Sequence, residues 1–88
     1  MNAVCAYYKI TKNDILGKNK KQEIARARQI CTYLMCDMLS LPLVNVGKIV
    51  ERDHATVIHS RNKITQLMKV NDRISKDVDD IKNSILKR

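Results

Sequence analysis

Ile24, Ala27, Cys31, Leu34 and Met38 follow one another at steps of three, four, three and four, the spacing that lays side chains along a single face of an α-helix. The rest of the chain keeps a similar rhythm. It has no Phe or Trp, two glycines and one proline, so β-strands lack both the residues that favour them and the turns that would pair them. Eighty-eight residues patterned in this way read as one small all-α domain, residues 1–88, built of about six helices.

Caps and breakers set the expected segment limits. Asn2 suits the start of a helix reaching about Tyr8, and Thr11 suits the cap of a short one, about Lys12 to Leu16, stopped by Gly17. A basic loop, 18–22, then leads into what should be the longest helix, roughly Gln22 to Leu39, with Tyr33 and Met35 widening its apolar face and Asp37 solvated. Pro42 should end that helix, because proline disfavours helical geometry in the residue before it. A helix of about Leu43 to Val50 follows, with Leu43, Val46 and either Ile49 or Val50 turned inward. Glu51-Arg52 is the turn, and Asp53 caps a helix to about Val70 whose core side is Val57, Ile58, Ile64, Leu67 and Met68. A last helix, about Asp72 to Leu86, packs through Ile74, Val78, Ile81 and Ile85.

Seventeen Lys and Arg against nine Asp and Glu leave a net charge of +8, of which +7 falls in residues 1–70. Within 18–28 there are five basic groups and one acid, a local excess suited to a polyanion. There is no Gly-x-x-x-x-Gly-Lys loop and no evident pair of catalytic carboxylates, so a binding role is expected and an enzymatic one is not. The three cysteines, Cys5, Cys31 and Cys36, are odd in number and form no Cys-x-x-Cys pair, which argues for a reducing compartment. Cys31 and Cys36 sit about 140° apart around a helix. With His54 and His59 they match no metal spacing, so neither metal nor cofactor is expected. No export signal and no apolar window of membrane length is visible. The expectation is a soluble, cytoplasmic, nucleoid-associated protein.

The helix pair at about 43–70 has the proportions of a helix-turn-helix. In that motif the first turn of the second helix enters the major groove, which points to Asp53, His54, Ala55 and Thr56. Asp53 can accept from cytosine N4 or simply cap its helix, and both roles can hold through different oxygens. The methyl of Ala55 or Thr56 can rest on a thymine methyl. His54 stands in the first turn, away from the core side. His59 fits a phosphate contact or half-buried packing equally, and Lys63 a phosphate contact or a solvated charge.

Arg52-Asp53-His54-Ala55-Thr56-Val57-Ile58-His59 resembles the signature of domain IV of the bacterial chromosomal replication initiator DnaA, with Ala55 the one departure. Val4-Cys5-Ala6-Tyr7-Tyr8-Lys9-Ile10, Ile15-Leu16, Ile24-Ala25-Arg26-Ala27-Arg28-Gln29 and Asn62-Lys63-Ile64 follow in family order. The resemblance implies a Trp-repressor-like helix-turn-helix that reads an A·T-rich box in double-stranded DNA. It implies that a basic-loop arginine enters the adjacent minor groove, and Lys20 holds that position here. A compact, strongly hydrated ammonium suits such a groove less well than guanidinium, which would weaken the readout or shift it to Lys21.

Arg28 and Gln29 match positions that hold phosphate, and Leu43 and Val44 match a Leu-Pro pair lying close to the DNA. Lys18, Lys21, Arg52, His59 and Lys63 complete the expected backbone contacts. Arg26 is as well suited to a structural salt bridge. The stretch from Gly47 to Asp53 is one residue shorter than is usual in the family and lacks its Gly-Gly turn, which bears on the orientation of the recognition helix. Binding is expected as a monomer to an asymmetric site, with an ATPase module alongside if the chain is a fragment. Two other readings remain open from sequence: a freestanding transcription regulator or origin-box competitor with the same residue roles, and a helical module whose basic face takes an acidic protein partner.

Overall fold

The computed structural model of the protein describes residues 2–17 and 21–86, and for Asn2 the backbone alone. It contains α1 (Asn2–Tyr8), α2 (Lys12–Leu16), α3 (Gln22–Asp37), α4 (Leu43–Val50), α5 (His54–Val70) and α6 (Asp72–Leu86), with no strand among the described residues. The buried set Val4, Ile15, Ala27, Ile30, Leu34, Val46, Val57, Ile64, Val78 and Ile81 draws from all six helices and forms one continuous core. α3 is the central element and packs most extensively on α5. Its buried face is wider than the predicted stripe, because Ile30 and Met35 are buried with it while Met38 is only half-buried.

Local chemistry explains most of the boundaries. Thr11 and Asp14 close a capping box: the Thr11 hydroxyl accepts from the Asp14 N–H at 3.1 Å, and the Asp14 carboxylate accepts from the Thr11 N–H at 3.0 Å. The Asn71 side chain accepts from the N–H groups of Arg73 and Ile74 at the head of α6. On α5, Val57, Ser60 and Ile64 are buried and Leu67 is packed against the core, a 3-4-3 stripe.

Two expectations are corrected. α5, with 17 residues, is longer than α3, with 16. α3 stops at Asp37, ahead of the residue before Pro42, because Ser40 takes a left-handed φ of 52° and the N–H groups of Leu39 and Leu41 cover the carbonyls of Leu34 and Met35. Pro42 serves instead at the N-cap of α4. Gly17 ends α2 as expected, with φ −78° and extended ψ. Among the described residues the left-handed positions are Lys9, Ser40 and Glu51, none a glycine. Asp37 is exposed, as expected, and holds Lys82 of α6 at 3.2 Å, and the Lys82 ammonium also lies 5.7 Å from the Tyr33 ring centroid.

α1 meets α6 through phenols and carboxylates. The Tyr7 hydroxyl lies 2.9 Å from Asp77 and 3.2 Å from Asp80, and the Tyr8 hydroxyl 2.9 Å from the other oxygen of Asp77. The two rings meet edge to face at 5.0 Å.

Candidate nucleic-acid interface

α4 and α5 are joined by a turn that leaves no slack. Glu51 adopts φ 55°, ψ 48°, and the Arg52 N–H closes back on the Gly47 carbonyl at 3.0 Å, the 6→1 bond of a helix end with a left-handed residue. That closure brings backbone against backbone: a Cβ on Gly47 would stand 2.9 Å from the Arg52 carbonyl oxygen. Gly47 is therefore required for close approach, and Glu51 occupies the position where glycine would be unstrained. Val50, not Ile49, is the residue that points inward from the end of α4.

Asp53 then caps α5. Its Oδ1 accepts from the Thr56 N–H at 2.8 Å, and hydrogen bonds from the Thr56 hydroxyl and N–H hold its carboxyl below the usual range. Asp53, His54, Ala55 and Thr56 are all exposed, whereas Val57 is 1% exposed. The helix is thus anchored from its fourth residue onward and presents its first turn to solvent. His59 and Lys63, four residues apart on the outer side of α5, are exposed and border a groove with Asn62 and Gln66.

Beside the first turn lies a cleft of about 330 Å³, bordered by Val44, Lys48, Glu51, Asp53 and His54. Val44 is 57% exposed there, while Leu43 is half-buried against the core. Lys48 was not singled out from sequence, although it stands one turn after Val44 and so shares its exposed side. It makes no ion pair among the described residues.

The arginines are differently placed. Arg28 donates from Nε to the Ile15 carbonyl and from Nη2 to the carbonyls of Asp14 (3.3 Å) and Gly17 (3.1 Å). Arg52 donates from Nη2 to the Gly17 carbonyl at 2.7 Å and from Nη1 to those of Glu51 (2.9 Å), Val50 (3.3 Å) and Leu16 (3.4 Å). Burial lowers the Arg28 pKa, and the nearby charge of Arg52 lowers it further. Arg26 forms no salt bridge among the described residues; its Nε is buried without a hydrogen-bond partner, beside a cleft shared with Glu23, Arg73 and Asp77. Gln29 is half-buried, its Oε1 enclosed and unpartnered. Lys21 is exposed at the head of α3. Lys18 and Lys20 lie outside the described residues.

No grouping of three His, Cys, Asp or Glu suited to a metal occurs among the described residues. Among the described residues no helix is long and apolar enough to cross a membrane.

Comparison with known proteins gives the same motif a lineage. Residues 1–64 match the family described as the bacterial dnaA protein helix-turn-helix. The chain is 42% identical over 84 residues to the chromosomal replication initiator protein DnaA of Chlorobaculum tepidum, covering 94% of this chain and 17% of that protein. It is 37% identical over 86 residues to DnaA of Clavibacter sepedonicus and 34% over 83 residues to that of Levilactobacillus brevis, covering 97% and 93% of this chain and 18% of each relative. It thus spans less than a fifth of the length of these relatives. With the six-helix fold, the close α4–α5 turn and the Arg52–His59 signature in place, the chain belongs to the bacterial DnaA helix-turn-helix family.

Proposed function

We propose that the protein is a sequence-specific double-stranded DNA-binding module that reads an A·T-rich box of the DnaA type, as the origin-binding part of replication initiation, and performs no catalysis. The observation that carries this reading is the division within α5: Asp53–Thr56 exposed and polar, Val57 and Ile64 locked in the core. A helix so divided can enter a major groove without losing its anchorage.

In this reading Asp53, His54, Ala55 and Thr56 meet base edges. Asp53 keeps one oxygen for its cap and has the other for a cytosine amino group, while His54 offers a ring nitrogen and Ala55 and Thr56 offer methyls. Lys20 enters the minor groove. Lys18, Lys21, Gln29, Leu43, Val44, His59 and Lys63 fix the register along the backbone, with Arg28 and Arg52 close to the same surface. The module acts as a monomer on an asymmetric site. An excess of basic charge in residues 1–70 supplies the affinity that any duplex would share.

Selection from random duplex DNA tests the proposal. The expected outcome is an A·T-rich box with one fixed G·C-containing end, the end read by the α5 turn. Enrichment of no sequence, with weak and uniform binding at moderate salt, would move the basic face to an acidic protein partner.

A further inference from the structure

Resting on that reading, we propose that Arg28 and Arg52 form a brace that holds the origin of the basic loop against the turn preceding the recognition helix, making them positioning residues for two-groove reading and not independent phosphate ligands.

α2 depends on partners outside itself. A helix of five residues has almost no intrahelical bonding of its own, and its last carbonyls need partners from elsewhere. The accounting here is complete from Asn13 to Gly17. The Gly17 N–H serves Asn13, Arg28 serves Asp14, Ile15 and Gly17, and Arg52 serves Leu16 and Gly17. The same Arg52 fork serves Val50 and Glu51 in the α4–α5 turn. One guanidinium therefore spans two segments 35 residues apart, and the second, reaching out from α3, meets it at a single oxygen.

Two like charges converging on one carbonyl repel; burial is the main cause of the lowered pKa of Arg28, and the charge of Arg52 adds to it. A chain needing only to finish a short helix could do so with one. What the pair achieves is a fixed relation among α2, α3 and the Arg52-Asp53 junction, since the planar fork constrains direction as well as distance. Lys20 lies three residues beyond Gly17, a covalent tether of at most about 11 Å. Fixing Gly17 therefore limits where the Lys20 ammonium can go relative to His54. Reading two adjacent grooves in one register requires that limit.

The test compares Arg28→Lys and Arg52→Lys in the full 88-residue chain. Lysine retains the charge and loses the fork. Three duplexes serve as probes across a salt series: an A·T-rich box, the same box with G·C at the pairs beside the loop, and a random duplex. Amide hydrogen exchange at Gly17 and Arg52 is followed without DNA. The brace predicts that either variant speeds exchange at both amides together, several-fold, with the Ile64 amide unchanged. It also predicts that preference for A·T at the loop-side pairs falls three- to tenfold, while random-duplex affinity and salt slope hold. The double variant should lose little more than either single one.

A uniform loss on all three duplexes with a slope lower by about one unit in Arg28→Gln, and no loss of preference in Arg28→Lys, would make Arg28 a phosphate ligand and overturn the brace. So would accelerated exchange confined to the mutated residue's own segment. If the parent itself shows no preference between the two boxes, the proposed function fails, and the paired exchange measurement alone decides for or against the brace.

Discussion

The α4–α5 turn and the α1–α6 seam lie on different parts of one small molecule and are held by opposite means. At the turn, geometry is fixed by backbone packing: Gly47 has no room for a Cβ beside the Arg52 carbonyl, and Glu51 is left-handed. At the seam, Tyr7 and Tyr8 hold Asp77 and Asp80 through hydroxyls, with the Tyr7 bonds exposed and the Tyr8 bond part-buried. Steric closure admits few substitutions and little movement, whereas polar bonds at a wet surface are partly replaced by water when broken. The part proposed to meet bases is the part with the least tolerance.

The comparison breaks most visibly at Gly47. Gly47→Val should cost about 3 kcal/mol, at the upper end for overpacking, and should abolish preference among duplexes in whatever fraction remains folded. Urea denaturation alongside duplex titration checks both, and a neutral result would mean that the turn is pliant. Next in size is His54→Ala, expected to weaken box binding by about 2 kcal/mol and leave both stability and random-duplex affinity in place, since base contacts carry discrimination. Equal losses on both duplexes would move His54 to the phosphates.

The seam should respond more softly. Tyr8→Phe removes a part-buried hydroxyl bond to Asp77 and should cost about 1 kcal/mol without altering DNA selectivity. The phenols are also raised, Tyr8 by burial first and its bond to Asp77 second, and Tyr7 to about 12 by the bond to Asp77 first. Their folded pKa values stand above the unfolded value of about 10. This stabilisation is therefore full below pH 10 and lost as pH rises toward 12. Ultraviolet titration of tyrosinate, with melting followed over the same range, should show both. The smallest effect is expected at Glu51→Gly, where relief of left-handed strain is partly offset by the greater freedom of glycine in the unfolded chain, for a net gain of roughly 0.5 kcal/mol. A loss there would show that the Glu51 side chain contributes something the turn geometry does not.

Much of this was readable in the sequence because it was local. Thr11 and Asp14 are three residues apart, Asp53 and Thr56 likewise, and the apolar steps along α4, α5 and α6 placed Val46, Val57, Ile64, Val78 and Ile81 in the core. The end of α3 was misread because Ser40 carries no sign of its left-handed geometry, while Pro42 two residues later looks like the stop. The arginine brace was invisible for a different reason. Its acceptors are main-chain carbonyls, which every residue possesses, and one of them lies 36 positions from its donor, so no spacing or residue type announces it.

An exposed carboxylate at the head of α5 has one further consequence for a chain of +8 charge. Asp53 is a carboxylate at neutral pH, with Thr56 lowering its pKa further, so the tip proposed to enter the groove carries a negative charge toward a negative polymer. Guanine O6, thymine O4 and misplaced phosphates would all be refused at that spot, and a cytosine amino group would be admitted. Selectivity at that base pair would then be partly exclusion: the acid is admitted only where a base turns an amino group into the groove, as cytosine N4 and adenine N6 do.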